Sequence, residues 1–594
     1  EDANGNNTAI GYQALKTQNA GADAETTAIG YLAGTSLTTG VENVLIGGRA
    51  GDALTDADYN IAIGKGSLTG DTKGSKSVAV GYQTLVNQNF TTSTDTFNVA
   101  VGFEAGNDIT TGVQNTLIGG EAGDALTDAD FNVAVGKGAL GADVRGSRSL
   151  AIGHSALASQ NFTTATDTYN TAVGFSAGNL ISTGQYNTIL GGNAGDALTD
   201  ADYNVAMGYL ALSADTLGSR STAIGTVALA SQNFTTATDA YNTAVGYQAG
   251  GSVTTGTKNT IIGGLAGDAI TSAEGNTTVG YLSLSAETQG KGSVAFGYHA
   301  LRQQNITSDS FAFNTAVGYS AGDAVTTGTE NTLVGGLAGD ALTTGVRSVA
   351  VGAAALSGET GSSSSVAIGY AALNVQNVGS GDAYNVAVGR AAGAAVTTGV
   401  QNTLLGALAG DALTDADYNV AVGLGALSTD TLGSRSTALG YAALQTQNFT
   451  TATDSYNVGV GYSAGQAITT GVQNTLIGSL AGDALTDADE NVAVGISALT
   501  SDTLGSKSVA VGAGALFTQN FTTATDSLNT AVGYHAGNDI TTGTLNTLIG
   551  GNTGDALTIG VDNVAVGRSS LTTDVAGKYS VAIGSSALET QNFT

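Results

Sequence analysis

The pentapeptide Asn98-Val-Ala-Val-Gly102 decides how this chain folds. Close copies recur along the sequence, each with a polar residue first, then Val or Thr and rarely Ile or Leu, usually Ala in the middle, an apolar residue fourth and Gly last. Counted by its final Gly, the motif occurs 33 times, at spacings that run 17, 17, 17 and 21 after a first gap of 19, with one 21 shortened to 20. Fixed periods of this kind are typical of solenoids, in which each repeat forms one rung.

The composition agrees with a repeat architecture. The 594 residues include 88 Gly and no Pro, Cys or Trp, so disulfides, thiolate metal sites and Cys nucleophiles are excluded. The formal net charge of −30 repels phosphates and anionic lipid surfaces, which disfavours nucleic-acid binding and membrane insertion. The chain has no apolar run long enough to span a membrane and begins at Glu1, so we expect a mature or excised segment that acts outside the cell or at its surface.

The residue types on the two faces of the motif strand predict which of its side chains are buried. Alternate residues of a strand face opposite sides, and the residue before Gly is apolar in every copy, so we expect that residue to face the core. The residue before it is Ala in most copies and Leu or Ile in about every fourth copy, so we expect the second face to be shielded as well. A strand with two shielded faces predicts neighbouring chains.

The segments between the motifs complete the rung. After Gly comes a short stretch such as Phe103-Glu-Ala-Gly106, which we interpret as a second short strand, and then a turn such as Thr110-Thr-Gly-Val-Gln114. The sequence thus predicts an all-β parallel β-solenoid with 17/17/17/21-residue rungs and a 72-residue super-repeat. We expect residues 1–29 to form an irregular first rung and residues 30–594 one continuous repeat domain. At about 4.8 Å per rung, 33 rungs predict a rod of roughly 160 Å with Asn and aromatic ladders.

The motif resembles a known family. Ser77-Val-Ala-Val-Gly81 and Ser580-Val-Ala-Ile-Gly584 are similar to the head repeats of trimeric autotransporter adhesins, and Asn242-Thr-Ala-Val-Gly-Tyr-Gln-Ala-Gly250 is similar to repeats of phage tail-fibre-like proteins. The resemblance implies a parallel β-roll with three chains in a homotrimer. It also implies an adhesive fibre on a cell surface or a virion.

The 21-residue rungs carry a candidate modification site. Their extra residues form a Thr-rich loop such as Asn161-Phe-Thr-Thr-Ala-Thr-Asp167. The loop contains an Asn-x-Thr sequon, which would be a site of N-glycosylation in a secretory pathway, at Asn89, Asn161, Asn233, Asn305, Asn448, Asn520 and Asn592. The alternative interpretation is a structural turn with its Phe tucked beneath it.

A second loop carries clustered carboxylates. The pattern Asp52-Ala-Leu-Thr-Asp56-Ala-Asp58 returns at Asp124, Asp128 and Asp130, and in three further copies. Carboxylates grouped on a loop suit Ca²⁺, which takes oxygen ligands. The alternative is that Asp serves the turn, because Thr-Gly-Val fills the same place elsewhere. Calcium is therefore a hypothesis, and no other cofactor is expected.

Catalysis has little support in the sequence. The three histidines, His154, His299 and His535, do not recur at one rung position beside a carboxylate. A secreted enzyme would place unique polar residues on one face, whereas these rungs are nearly uniform. We therefore expect a protein that is not an enzyme.

The two ends of the sequence have matching spacing. The last motif glycine is Gly584 and the first is Gly11, so joining Thr594 to Glu1 would reproduce the longer of the two regular gaps. We expect head-to-tail stacking of copies, or one tandem unit of a longer chain, together with lateral self-association into a trimer. The expected function is a structural or adhesive extracellular fibre that displays its loops to a cell-surface or glycan receptor. The alternative is a receptor-binding or shaft segment of a phage tail fibre.

Overall fold

A computed structural model describes residues 6–20 and 23–594. In these residues the chain is an all-β parallel β-solenoid without helix, and every rung contributes one motif strand, which confirms the predicted fold class. Its packing divides it into two compact units. Unit 1 consists of residues 1–293 with 305–310, and unit 2 of residues 294–304 with 311–594.

The described part of unit 1 contains one three-residue strand in each rung. These strands are Thr8–Ile10, Thr27–Ile29, Val44–Ile46, Ile61–Ile63, Val78–Val80, Val99–Val101, Thr116–Ile118, Val133–Val135, Leu150–Ile152, Thr171–Val173, Thr188–Leu190, Val205–Met207, Thr222–Ile224, Thr243–Val245, Thr260–Ile262 and Thr277–Val279. Two-residue strands flank the loops at Gly74–Ser75, Thr94–Asp95, Gly146–Ser147, Thr166–Asp167, Gly218–Ser219 and Thr238–Asp239.

Unit 2 is built in the same way. Its three-residue strands are Val294–Phe296, Thr315–Val317, Thr332–Val334, Val349–Val351, Val366–Ile368, Val386–Val388, Thr403–Leu405, Val420–Val422, Thr437–Leu439, Val458–Val460, Thr475–Ile477, Val492–Val494, Val509–Val511, Thr530–Val532, Thr547–Ile549, Val564–Val566 and Val581–Ile583. The two-residue strands are Ser362–Ser363, Gly381–Asp382, Gly433–Ser434, Thr453–Asp454, Gly505–Ser506 and Thr525–Asp526.

Within each unit, each motif strand pairs in parallel with the motif strand of the next rung. Ala100 lies opposite Leu117 across a rung of the shorter kind, and Ala79 lies opposite Ala100 across a longer, loop-bearing rung. The extra residues of the longer rungs leave the register unchanged because they are accommodated in the loop. Equivalent residues therefore stack on one another within each unit.

The orientation of the motif strand is opposite to the one expected. Its middle residue faces the core, since Ala100 and Leu117 have no exposed surface. The apolar residue before Gly points outward and stays partly exposed, as at Ile118 with 40 % and Leu190 with 43 %. The prediction was wrong because it gave the larger side chain to the core. The small Ala instead allows the opposite wall of the rung to approach closely.

Leucines at the middle position fill space that glycines leave open. A side chain built at Gly106 would lie 2.7 Å from Leu117 Cδ1, and one built at Gly123 would lie 2.8 Å from Leu117 Cδ2. Leu126 and Ile109 complete this part of the core and are fully buried. A Leu in place of the usual Ala is therefore compensated by glycines in adjacent turns.

The stretch after the motif Gly is a turn, and the expectation of a second strand there was wrong. In Phe103-Glu-Ala-Gly106, Glu104 and Gly106 have left-handed φ angles of 55° and 58°. The Glu104 N–H donates to the Tyr82 carbonyl at 2.9 Å, and the Gly106 N–H donates to the Ala122 carbonyl at 3.0 Å. Hydrogen bonds to the rungs on both sides thus offset the unfavourable left-handed conformation.

The predicted Asn ladder is confirmed. Asn98 Oδ1 accepts hydrogen bonds from the Asn115 N–H at 2.9 Å and from Asn115 Nδ2 at 3.3 Å. Asn98 Nδ2 donates to the Gly112 carbonyl at 2.8 Å. Asn115 Oδ1 repeats the pattern with the N–H of Asn132 at 3.0 Å. These buried amides therefore bind consecutive rungs to each other.

The predicted aromatic ladder is also present. The rings of Tyr169 and Tyr186 are stacked with centroids 5.5 Å apart, and those of Tyr186 and Tyr203 with centroids 4.9 Å apart. The rings are about half exposed, so the ladder lies on the surface of unit 1.

Replacing a motif glycine should destabilise the stack severely. Gly119 has φ +139°, and a Cβ there would lie 2.5 Å from the Gly136 carbonyl oxygen, so we expect Gly119→Ala to cost about 2–4 kcal/mol. The measurement is the shift of the urea unfolding midpoint. The matched control is Gly120→Ala, whose added methyl meets nothing closer than 3.9 Å and should change the midpoint little. Equal shifts in the two variants would contradict the explanation.

Candidate functional site: the loop-bearing rungs

The Thr-rich loops place their sequon Asn at the surface. Asn161 is exposed, and the Phe162 side chain that follows is only 6 % exposed beneath the loop. The Asn161 N–H donates to the Ser182 carbonyl at 2.9 Å, which fixes the loop base. Asn89, Asn233, Asn448, Asn520 and Asn592 are exposed as well, and Asn305 is half-buried. The expected tucked Phe is confirmed here, and glycosylation stays a prediction.

Beneath each loop lies a buried carboxylate that the sequence analysis missed. Asp143 is fully buried, and its Oδ1 accepts hydrogen bonds from the backbone N–H groups of Gly146 at 3.1 Å and Phe162 at 3.0 Å. Its Oδ2 accepts a hydrogen bond from Gln160 Nε2 at 2.5 Å. Burial raises the pKa of Asp143, while these donors favour its charged form. The carboxylate thus connects the beginning of the loop to the turn of the preceding rung.

Gln160 connects this carboxylate to the Asn ladder. Its Nε2 also donates to Ser149 Oγ at 2.8 Å, and its Oε1 accepts from Asn170 Nδ2 at 2.9 Å. Ser149 Oγ in turn lies 2.6 Å from Thr168 Oγ1. All four side chains are buried, so the loop-bearing rung has a polar network where other rungs have an aliphatic core.

The same acid–Gln contact recurs along the chain. It is present in the pairs Asp71–Gln88, Asp215–Gln232, Glu359–Gln376, Asp430–Gln447, Asp502–Gln519 and Asp574–Gln591. The signal available in the sequence was an acid at a constant distance before the Gln that precedes each loop. It was missed because a single acid in a turn is usually solvated.

The Asp cluster considered for calcium is divided among separate partners. Asp130 Oδ1 accepts from the Val113 N–H at 2.8 Å, and Asp128 Oδ1 lies 3.4 Å from Arg145 Nε. In the earlier copy, Asp58 Oδ1 accepts from the Val41 N–H at 2.8 Å, and Asp56 lies 3.9 Å from Lys73. Within residues 6–20 and 23–594, no three acidic, His or Cys side chains form a group that could hold a metal ion. Calcium binding stays a prediction.

The first carboxylate of that cluster, represented by Asp52 and Asp124, has a distinct environment. Burial raises the pKa of Asp124 to about 6, and nearby Glu121 and Asp108 add to the effect. Burial also raises the pKa of Asp52, Asp196, Asp268, Asp340, Asp411, Asp483 and Asp555. Where the structure is described, Oδ1 is buried without a hydrogen-bond partner at Asp52, Asp196, Asp268, Asp340, Asp411 and Asp555. These carboxylates oppose folding when they are ionised.

The histidines have local aromatic neighbours. The His154 ring is stacked on Phe175 with centroids 5.4 Å apart, and the His535 ring on Tyr534 at 4.0 Å. His299 is stacked on Tyr298 at 3.8 Å.

The described residues contain no helix that is long and apolar enough to cross a membrane.

Comparison with known proteins does not place the chain in a family. No protein-family model matches it, and no curated protein matches it.

Disrupting the buried network should destabilise the loop-bearing rung. Gln160→Leu removes the donor to Asp143 and the acceptor for Asn170, so we expect a loss of about 2–4 kcal/mol. The measurement is the urea midpoint, followed together with hydrogen exchange of the loop amides. The control is Gln303→Leu, because the Gln303 side chain is exposed. A change no larger than that of the control would contradict a structural role for the network.

Stability should rise as the pH falls from 7 towards 4. The pKa of these carboxyl groups is higher in the folded protein than in the unfolded chain. Their contribution to the free energy of unfolding is therefore complete below the unfolded pKa. It is lost as the pH rises through the folded pKa, which is about 6 for Asp124. We therefore expect a melting temperature several degrees higher at pH 5 than at pH 7.

Removing these carboxyl groups should reduce that dependence. The triple variant Asp124→Asn, Asp196→Asn and Asp268→Asn should melt at a higher temperature at pH 7 and show a smaller change between pH 7 and pH 5. The control is Asp128→Asn at the exposed ion pair with Arg145. An unchanged pH profile in the triple variant would contradict the assignment to these three groups.

Proposed function

We propose that this protein is a structural or adhesive extracellular fibre component that self-associates and displays its repeated loops. The observation that carries the proposal is the strict register within each unit, where a three-residue strand pairs with the next in every rung. A chain built from one repeated rung presents the same surface at regular intervals, which suits extension and multivalent display. The resemblance of its motif to adhesin head repeats supports the same interpretation.

The finer architecture forms part of the proposal. Three chains associate laterally as a homotrimer, and a 72-residue super-repeat sets the spacing of the displayed loops. The outward apolar residues of the motif strand support lateral association, because a contiguous apolar surface favours burial against a partner. Acidic loops elsewhere on the chain keep the assembly soluble.

Head-to-tail stacking is the second mode of self-association. In interior rungs the N–H of the first strand residue donates to the next rung, as from Val564 to the Ser580 carbonyl at 2.8 Å. By the same pattern, the Val581 N–H points away from Val564–Val566, the strand with which Val581–Ile583 pairs. In unit 1 the strand Thr8–Ile10 pairs with Thr27–Ile29. The strands Thr8–Ile10 and Val581–Ile583 have the same Thr/Val-Ala-Ile pattern, so strands of this kind from two copies can extend one ladder.

The purified chain should form particles longer than one chain. We expect electron microscopy to show rods with a rung spacing of about 4.8 Å, and light scattering to give a multiple of the 58.3 kDa chain mass. Val581→Pro removes an edge N–H, so it should shorten the rods without unfolding the rungs. Val581→Ala is the control. Compact monomeric particles in the unmodified protein would overturn the proposed function.

A further inference from the structure

The last rung of unit 2 leaves core positions uncovered. Phe593 holds the place that Phe162 holds in a complete loop-bearing rung, but its side chain is 58 % exposed against 6 % for Phe162. Leu588 is 43 % exposed, although its counterparts in the other loop-bearing rungs are fully buried. A Cβ built at Gly584 would meet no atom within 4 Å, whereas one built at Gly567 would lie 2.4 Å from the next glycine carbonyl oxygen. The surface that a following rung would cover is therefore open here.

The buried polar network of this rung is half formed. Gln591 Nε2 donates to Asp574 Oδ2 at 2.9 Å and to Ser580 Oγ at 3.0 Å, as Gln160 does with its own acid and Ser. Gln160 Oε1 also accepts a hydrogen bond from Asn170 Nδ2. Within residues 6–20 and 23–594, no Asn side chain donates to Gln591. The rung thus has the acid and the Gln of the network and lacks the Asn.

The first described strand of unit 1 has the complementary half. Asn7 Oδ1 accepts a hydrogen bond from the Thr26 N–H at 2.9 Å, just as Asn170 Oδ1 accepts one from the N–H of the following ladder residue. Asn7 therefore holds the place of Asn170, and no Gln side chain of the described residues is bonded to it. Ala9, in the middle of its strand, is exposed, whereas Ala28 in the next strand is fully buried.

The sequence spacing of the two halves matches that of a complete rung. If residue 1 of a second copy is placed directly after residue 594, Asn7 follows Gln591 by ten residues, as Asn170 follows Gln160. In the same placement the strand Thr8–Ile10 falls in register with the last motif strand, because it follows at the spacing of a loop-bearing rung. The two halves can therefore form one rung without a change of register.

A pair of opposite charges is matched in the same placement. Lys16 and Glu589 each lie five residues after a motif glycine, and both are exposed. Within the described residues neither forms an ion pair. At this place Arg302 and Asp323 of consecutive rungs form a bidentate pair across a loop-bearing rung, with Nε–Oδ1 at 2.7 Å and Nη2–Oδ2 at 2.9 Å. A second copy would bring Lys16 to Glu589 in the same way.

We infer that the last rung of one copy and the first strand of a second copy together form one complete loop-bearing rung, which we call the shared rung. In the shared rung, Asn7 of the second copy donates to Gln591 of the first, and Lys16 pairs with Glu589. The first motif glycine of the second copy fills the open space at Gly584. This inference rests on the proposed function, and it names the surface and the contacts of head-to-tail stacking.

A second copy is favoured over an unrelated partner by the number of features that fit. A complete rung places an Asn, a strand with a central Ala and a motif glycine in fixed order, and Asn7–Gly11 has all of them. The same segment is followed by the cation that faces Glu589. A capping partner with a polar outer face could cover the exposed Phe593 ring without any of these features.

Charge reversal tests the shared rung, because Lys16 and Glu589 are exposed and can be changed without disturbing the core. The variants are Lys16→Glu, Glu589→Lys and the double variant with both changes. Each is studied as the full chain, with its purification tag removed, in about 50 mM and about 500 mM salt. Rod length is measured by electron microscopy and mass by light scattering. The control is Lys137→Glu, which reverses an exposed cation far along the chain from both residues.

The inference predicts that each single variant forms rods about threefold shorter, or shorter still, at the lower salt, and that the difference shrinks at the higher salt. The control should leave the length unchanged. The double variant should recover full length. A one-to-one mixture of the two single variants should recover it as well, because every junction in an alternating rod then joins opposite charges.

Three results would overturn the inference. The first is an unchanged rod length in both single variants, and the second is a lack of recovery in the double variant or in the mixture. The third is an unmodified protein that forms oligomers but no rods, which would leave lateral association standing. A monomer by light scattering would overturn both the inference and the proposed function.

A second substitution tests the buried contact. Asn7→Asp keeps an acceptor for the Thr26 N–H and removes the donor to Gln591, so about fivefold less protein should assemble into rods. The matched control is Asn6→Asp, which adds the same charge at the exposed neighbouring residue and should assemble like the unmodified protein. Equal assembly of the two variants would overturn the inference.

Discussion

Within each unit, the carbonyl oxygen of a motif glycine occupies the place where a side chain on the preceding motif glycine would project. This close approach of backbones sets the register, because it can be repeated only if glycine returns at the same place in every rung. The flanking strand then pairs in parallel, and the left-handed turn after it finds donors and acceptors in both neighbouring rungs. The other features of the fold depend on this contact.

Two kinds of core are compatible with that register. Most rungs are filled by Ala and Leu, with glycines making room wherever a Leu replaces the central Ala. The loop-bearing rungs contain instead a carboxylate, a Gln and hydroxyl groups that satisfy one another, as at Asp143 and Gln160. A buried polar group without partners is costly, so the network permits a longer rung without breaking the stack. The loop is thereby presented from a rigid base.

Three parts of the surface differ in their chemistry: the exposed loops, the outward residues of the motif strands and the turn carboxylates. The exposed loops carry the sequons and the acidic turns, and their ion pairs such as Arg148 with Asp167 at 2.9 Å are solvent-screened. The outward-facing residues of the motif strands are Thr or apolar residues and carry no charge, which suits association. The turn carboxylates represented by Asp124 are half-buried and couple stability to pH through their raised pKa. The proposed fibre function requires both display and association, and the rung provides a different surface for each.

The sequence by itself determined the solenoid, the strand of every rung, the Asn and Tyr ladders and the Phe beneath each loop. It could do so because period and residue type act locally and repeat many times. Only the tertiary structure decided which face of the strand is buried, since Val and Ala are both apolar and the choice depends on how closely the opposite wall packs. It likewise decided that Phe103–Gly106 is a left-handed turn and that Asp143 lies inside, bonded to Gln160. Those outcomes depend on contacts between residues of different rungs. The alternation of residue types along a single strand carries no information about such contacts.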